Sequence, residues 1–313
     1  MSKYKKIAFI FPGQGSQYAG MGQDFYDHFS VVKETFQEAD DILSRKISSI
    51  ILQGPDNVLT ETKNSQTGIF ITSIALLRAI QSQFPNLALS AAAGLSLGEY
   101  TALTASNRLD FATCLPIVQH RGQFMNDACA KTTGTMAVVL GLESEVVFKL
   151  VKDLELPNDL FVANINCPGQ VVISGSVKGI EAGSLAAKAL GAKRVLPLTV
   201  HGAFHSGLMR EAEERLSEHI HNAPIKDSKI EFAMNVPGDF VKDLSQIKKF
   251  LIAQVTQPVL FESLLRKMAD SSVDLFVEIG CGKTLSTLVK RTTPQIPVIS
   301  IEKLSDLEQL AKN

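Results

Sequence analysis

Cysteine is scarce in this chain, and none is placed to work with another. The four, Cys114, Cys129, Cys167 and Cys281, show no CxxC spacing and no Cys/His cluster. That argues against a zinc site and a disulfide framework, and leaves buried thiols in a reducing compartment as the expectation, with no metal and no cofactor called for. An excess of one charge is also missing. Lysine plus arginine number 31 against 32 acidic residues, a net charge of −1, so no electrostatic reason exists to expect nucleic acid or a membrane surface as a partner. Long hydrophobic runs are absent: after Met1-Ser2-Lys3-Tyr4-Lys5-Lys6 only five strongly apolar residues precede Pro12. That is too short for a signal-peptide core or a spanning helix, so a soluble, cytoplasmic protein is expected. Internal repeats, low-complexity segments and flexible linkers are lacking as well.

What remains is ample for a large core, with 313 residues at 45% hydrophobic. Residues 6–11 form a short apolar run suited to a buried parallel strand, ended by Pro12-Gly13-Gln14-Gly15. Helical periodicity follows over 24–43 and 67–82, then an Ala-rich apolar run over 87–93, and helix again over 101–105 and 111–130. The middle third changes character. Strands are predicted at 136–142, 160–166, 170–174 and 193–200, with helices at 143–153 and 178–190. That order, βαββαβ, is the signature of a ferredoxin-like unit set between two stretches of a larger α/β body. After residue 200 the body resumes, with helices at 209–221, 244–254 and 261–269, a strand at 274–279, and a glycine turn into 283–290. The predicted division is a body of 1–130 plus 201–313 and an inserted unit of 131–200.

The strongest chemical signal is Gly94-Leu95-Ser96-Leu97-Gly98, where the apolar run gives way to Glu99-Tyr100-Thr101. A serine between glycines at a strand-to-helix turn fits a nucleophile elbow, whose cramped backbone needs neighbours without side chains. The pattern occurs by chance, so its setting carries the inference. Two other glycine turns carry less. Gly13-Gln14-Gly15 lacks the third glycine of a dinucleotide fingerprint, whose place is Tyr18, and Gly282-Lys283-Thr284 lacks the leading glycine of a phosphate loop, whose place is Val277.

A serine nucleophile needs a base, and there are six histidines. His219 and His221 lie in a charged helical stretch, and His28 and His120 sit in amphipathic helices. His201 and His205 remain, in the loop after the last strand of the inserted unit, and that loop is the expected source of the base. No acid stands in a clear strand-end setting between serine and base, because Asp110, Asp127, Asp153 and Asp159 fall in helices or polar loops. The third member is therefore an amide or a backbone carbonyl.

Several separated segments together resemble one family, the malonyl-CoA:acyl carrier protein transacylases of bacterial type II fatty acid synthesis. They are Phe11-Pro12-Gly13-Gln14-Gly15-Ser16-Gln17, Gly94-Leu95-Ser96-Leu97-Gly98-Glu99-Tyr100, Arg121-Gly122, Asn166-Cys167-Pro168-Gly169-Gln170, Gly202-Ala203-Phe204-His205-Ser206 and Gln254-Val255-Thr256-Gln257-Pro258-Val259. Their order and spacing span nearly the whole chain. The resemblance implies an α/β-hydrolase-like body with a parallel sheet and an inserted ferredoxin-like βαββαβ subdomain. It implies Ser96 as nucleophile, His205 as base, and Gln254 steadying that base through its backbone carbonyl. The backbone N–H groups of Gln14 and Leu97 would form the oxyanion hole, Arg121 would grip the malonyl carboxylate, Asn166 would line the substrate site, and Phe204 would disfavour a methyl branch. Taken alone, an arginine on a helix is more often a surface residue, and Asn166 could simply serve its turn.

The implied partners are malonyl-CoA and acyl carrier protein, with the chain acting as a monomer. An acidic carrier calls for a basic rim, and Lys193, Arg194, Lys283, Lys290 and Arg291 are the candidates. The chain departs from the family pattern at Leu95, where histidine is usual, at Cys281, where proline is common, and at Phe261, where tryptophan is frequent. Two other classes use some of the same features: a serine esterase, which should carry an acid partner and has no need of Arg121, and a non-catalytic acyl-binding protein, which would not be labelled at Ser96.

Overall fold

The computed structural model describes residues 4–200 and 202–311, so His201 lies outside the described residues. Eleven strands follow in chain order: β1 (Ile7–Phe11), β2 (Leu89–Gly94), β3 (Gly134–Leu140), β4 (Leu160–Cys167), β5 (Gln170–Ser176), β6 (Arg194–Pro197), β7 (Glu231–Met234), β8 (Asp239–Phe240), β9 (Val259–Leu260), β10 (Leu275–Ile279) and β11 (Val298–Ile301). They form two sheets in a mixed α/β fold. The first has the order β11-β10-β1-β2-β7-β8, parallel throughout except for β8. Every residue of β1 and β10 is buried, as expected of central parallel strands covered by helices on both faces.

The second sheet runs β6-β3-β5-β4-β9. Its first four strands pair antiparallel, while β9 lies parallel to β4, with Asn164 opposite Val259. That fifth strand comes from the far side of residue 200. It joins the middle third to the rest of the chain through backbone hydrogen bonds, and Leu260 N–H also donates to the Asn235 carbonyl just beyond β7.

Some predicted elements differ in detail. The helix expected over 24–43 is two, Gln23–His28 and Ser30–Leu43, because Phe29 is extended (φ −112°, ψ 127°). Its ring packs against Phe25 and His28, and that apolar contact outweighs helix continuity. The next long helix begins at Thr62 rather than 67, since Asn64, Ser65, Gln66 and Thr67 are buried, and a polar stretch in the sequence hides an interior turn. β6 ends at Pro197 rather than at residue 200, although the Leu198 N–H still donates to the Met136 carbonyl of β3. Among the described residues no helix is long and apolar enough to cross a membrane.

The turn after β1 and the elbow after β2 meet backbone to backbone. A Cβ on Gly98 would stand 2.1 Å from the Phe11 carbonyl oxygen, and one on Gly13 would stand 2.5 Å from the Leu95 carbonyl oxygen. No side chain fits at either position, so two segments more than eighty residues apart lock Ser96 beside Gln14. Gly98→Ala is expected to destabilise the fold by roughly 3 kcal/mol, the upper end of the cost of overpacking, read as a lower midpoint in urea unfolding.

Candidate active site

The strand-to-helix turn places Ser96 in a left-handed backbone conformation, φ 51°, immediately before the helix Gly98–Ala105. A non-glycine residue holds such a φ only where its surroundings enforce it. Here Asn235 does so: its Oδ1 accepts the Ser96 N–H at 2.8 Å and its Nδ2 donates to the Gly94 carbonyl at 2.7 Å. The elbow is thus braced from β7 as well as from β1.

His205 Nε2 lies 2.8 Å from Ser96 Oγ, and His205 Nδ1 lies 2.6 Å from the Gln254 backbone oxygen. A carbonyl oxygen only accepts, so the proton sits on Nδ1 and Nε2 is free to accept from the serine hydroxyl. The third member is therefore a peptide carbonyl. Burial pushes the His205 imidazole down to about 4, the nearby Arg121 guanidinium adds to this, and the Gln254 carbonyl partly opposes it. The ring rests neutral, the form that can take a proton.

Arg121 lies within the helix Phe111–Lys131 and is 1% exposed. Its Nη2 donates to Ser96 Oγ at 3.1 Å and to Gln254 Oε1 at 2.8 Å, and its Nη1 donates to Gln66 Oε1. These acceptors are all neutral. Nε is buried and without a partner among the described residues, and desolvation lowers the group's affinity for its proton. A buried guanidinium whose direct acceptors are all neutral, with the nearest carboxyl, Glu99, behind the Gln254 amide, is a site that a carboxylate would complete, since a planar fork and a carboxylate match in two parallel hydrogen bonds.

A cavity of about 160 Å³ opens between the two sheets, lined among others by Gln14, Ser96, Met125, Asn166, Phe204 and His205. The Asn166 Oδ1 is buried with no protein partner among the described residues, a spare acceptor in the cavity wall. Phe204 is almost fully buried there. The Gln14 side chain is occupied, donating to Thr62 Oγ1 and accepting from Gln66 Nε2, both at 3.3 Å. Leu97 is buried at the start of the elbow helix. Leu95 lines the cavity where the family usually has histidine and packs partly against the apolar core, and Cys281 and Phe261 are buried and do not line the cavity.

Three residues of this network carry no signal in the sequence reading: Gln66, Glu99 and Asn235. Glu99 sits inside the quoted elbow motif, and its position directly after the second glycine is the cue that could have raised it. Asn235 follows a four-residue strand too short to stand out. Of the basic rim, Arg291 donates to Gln170 Oε1 and to the Pro168 carbonyl, and Lys283 lies 3.8 Å from Asp306, so these two are already engaged. His219 stacks on His120 with ring centroids 4.0 Å apart, which partly shields it from solvent.

The depressed basicity of His205 gives a direct expectation. Between its ordinary value of 6.5 and its folded value of about 4, the unfolded chain binds a proton that the folded chain does not. This residue therefore contributes a loss of stability as pH falls through that window. In a histidine-selective NMR titration the His205 ring should remain neutral across that interval; a ring that charges near 6.5 would contradict the geometry.

The chain matches the family model described as acyl transferase domain over residues 8–309. It is 42% identical over 304 residues to a malonyl CoA-acyl carrier protein transacylase of Bacillus subtilis, covering 97% of this chain and 95% of that one. To the protein of the same description from Staphylococcus aureus it is 38% identical over 309 residues, covering 98% and 99%. Among solved structures, the malonyl CoA-acyl carrier protein transacylase of Clostridium perfringens superposes with a TM-score of 0.93 at 34% identity, covering 98% and 96%. A malonyl-transacylase in complex with its type II PKS acyl-carrier protein superposes at 0.94 with 32% identity, covering 99% and 100%. With the serine, histidine and buried arginine already brought together by the fold, likeness over this length shows that the chain belongs to the malonyl-CoA:acyl carrier protein transacylase family of acyl transferases.

Proposed function

We propose that this chain transfers the malonyl group of malonyl-CoA to the phosphopantetheine thiol of acyl carrier protein through a malonyl ester on Ser96. The observation that carries the reading is Arg121, a buried guanidinium 3.1 Å from Ser96 Oγ whose hydrogen-bond acceptors are neutral. An acyl group ending in a carboxylate supplies an anion in direct contact and is thereby aligned with its thioester carbon at the serine.

In the first half-reaction Ser96 Oγ attacks the thioester carbonyl carbon while its proton passes to His205 Nε2. The tetrahedral intermediate collapses with cleavage of the C–S bond, and the same proton leaves with the CoA thiol. The carrier thiol then repeats the sequence in reverse, giving its proton to His205 and releasing Ser96. The backbone N–H groups of Gln14 and Leu97 are the oxyanion donors on this reading, which gives a purpose to the close approach of the β1 turn to the elbow. Asn166 accepts a hydrogen bond from the substrate, and Phe204 fills the space that a methyl branch would need. A methyl group is worth only about 1–3 kcal/mol in such a pocket, so selection against branched acyl groups is moderate.

The two-part organisation follows the same reading. The strand order β6-β3-β5-β4, with helices Ser144–Asp153 after β3 and Val177–Ala189 after β5, supports a ferredoxin-like unit over 131–200. It sits on an α/β-hydrolase-like body of 1–130 and 201–313. The carrier docks on the rim offered by Lys193, Arg194 and Lys290. On this reading the chain works as a cytoplasmic monomer on soluble thioesters, with neither nucleic acid nor membrane as a partner.

The decisive experiment is intact-mass analysis after brief mixing with malonyl-CoA and then with holo acyl carrier protein. A malonyl adduct is expected on the wild type, absent from Ser96→Ala and discharged onto the carrier; no adduct would leave an acyl-binding protein, and loss to water at the same rate without the carrier would leave an esterase. Arg121→Lys, which keeps the charge and loses the fork, is expected to lower kcat/KM for malonyl-CoA about 10- to 100-fold, the worth of a charged hydrogen bond. Transfer of an acetyl group, which has no carboxylate to grip, should fall much less.

A further inference from the structure

Directly behind the reacting groups lies a carboxylate for which the mechanism above has no use. Glu99 follows the second elbow glycine and is fully buried. Its Oε1 accepts the Asn235 backbone N–H at 2.6 Å, and its Oε2 accepts from Gln254 Nε2 at 2.6 Å. Asn235 and Gln254 are in turn the two amides that hold the reacting residues. Asn235 Oδ1 takes the Ser96 N–H, Gln254 Nε2 donates to the Ser96 carbonyl at 2.9 Å, and the Gln254 backbone oxygen holds His205.

An amide side chain can enter such a site in two ways, related by exchange of its oxygen and nitrogen. In the observed sense, Gln254 Oε1 faces the Arg121 guanidinium, which only donates, and Nε2 faces Glu99 and the Ser96 carbonyl, which only accept. The reversed sense would set NH₂ against guanidinium and oxygen against carboxylate. Each of those contacts would be repulsive in a buried setting where polar mismatches are costly.

We propose that Glu99 is a positioning residue of this site: as an acceptor-only carboxylate it fixes the orientation of the Gln254 amide and the placement of Asn235, and through them the Ser96 elbow and the His205 ring. The inference rests on Ser96 being the residue acylated. It follows that the charged form of Glu99 is the working one, because protonation would turn one oxygen into a donor facing a donor. Burial pushes this carboxyl up to about 8, against the opposing pull of the Asn235 N–H, Arg121 and the Gln254 amide. The charged or titratable groups facing it are Arg121 from the helix Phe111–Lys131 and its own neighbour Tyr100, with His205 across the Gln254 peptide.

The test compares wild type with Glu99→Gln, which matches the shape but adds a donor. The first-order rate of Ser96 malonylation by malonyl-CoA is followed by rapid-quench intact mass across the neutral and alkaline range, together with the half-saturating malonyl-CoA concentration. Acylation by a thioester involves no free thiol as nucleophile, so a thiol ionisation does not enter this step. The wild-type rate should fall as pH drops through about 8, where Glu99 takes up its proton. Glu99→Gln should lack that limb and acylate roughly 100-fold more slowly, the cost of a small misplacement of reacting groups, with half-saturation little changed. A variant as fast as wild type, or one impaired only in half-saturation, overturns the proposal. If Glu99→Gln does not fold, the wild-type profile decides alone: a rate with no limb near 8 overturns it. Absence of any adduct on the wild type is a different failure, that of the transacylase reading itself, and removes the basis for the inference with it.

Discussion

A guanidinium and a carboxyl group are buried within one side chain's reach of each other and do not touch. Between Arg121 and Glu99 stands the Gln254 amide, whose oxygen accepts a hydrogen bond from the guanidinium and whose nitrogen donates one to the Glu99 carboxyl. Placing either charge alone in the interior would be strongly unfavourable, and a direct ion pair would neutralise the arginine and close it to any other anion. The intervening amide avoids both outcomes. It holds both groups through hydrogen bonds while an Nη2–H of the guanidinium still reaches Ser96 Oγ, and its own backbone oxygen orients His205. Serine, histidine and arginine, far apart in sequence, acquire a common reference point in one glutamine.

That reference point is itself held by the meeting of the two sheets. Asn235 directly follows β7 of the first sheet, and its carbonyl accepts from Leu260 in β9, which pairs with β4 of the second. β4 carries Asn164 and Asn166 into the cavity wall. At the turn that follows β4, Arg291 ties the helix Thr284–Thr292 to Pro168 and Gln170. Both connections tie the same strand, which carries part of the cavity wall, to the first sheet and its helices.

Much of this was legible in the sequence because its signals are local. The elbow is readable because two glycines flank a serine where an apolar run ends, and the structure explains them by a backbone contact that no Cβ would survive. The βαββαβ order of the middle third is readable because each element has its own period and its own turn. The lack of a suitable acid was also a positive sign, since it pointed to an amide or carbonyl, and a carbonyl is what His205 meets. Burial was not legible. Arg121 alone reads as a surface residue, and nothing in its neighbourhood announces 1% exposure. Gln66 lies in a polar stretch that looks solvated, and the short strands β7 and β9 have too few residues to show a period. Glu99 was hidden for a related reason: a carboxylate on an otherwise apolar helix declares its purpose only through partners more than a hundred residues away.

The His205–carbonyl contact has one more consequence. A carboxylate in that place would stabilise the imidazolium strongly and make the ring a forceful base. A neutral peptide oxygen gives less help, and burial beside a guanidinium opposes the charge further, so this ring is a weak base. The two nucleophiles that compete for a serine ester place very different demands on it, because a thiol ionises near about 8.5 and bulk water near about 15.7. A weak base suffices for the first and serves the second poorly. On the proposed reading a malonyl ester on Ser96 is therefore discharged to a thiol more readily than to water, while its formation, from an alcohol about as weakly acidic as water, leans on the Arg121 Nη2–H at Ser96 Oγ as well as on the ring.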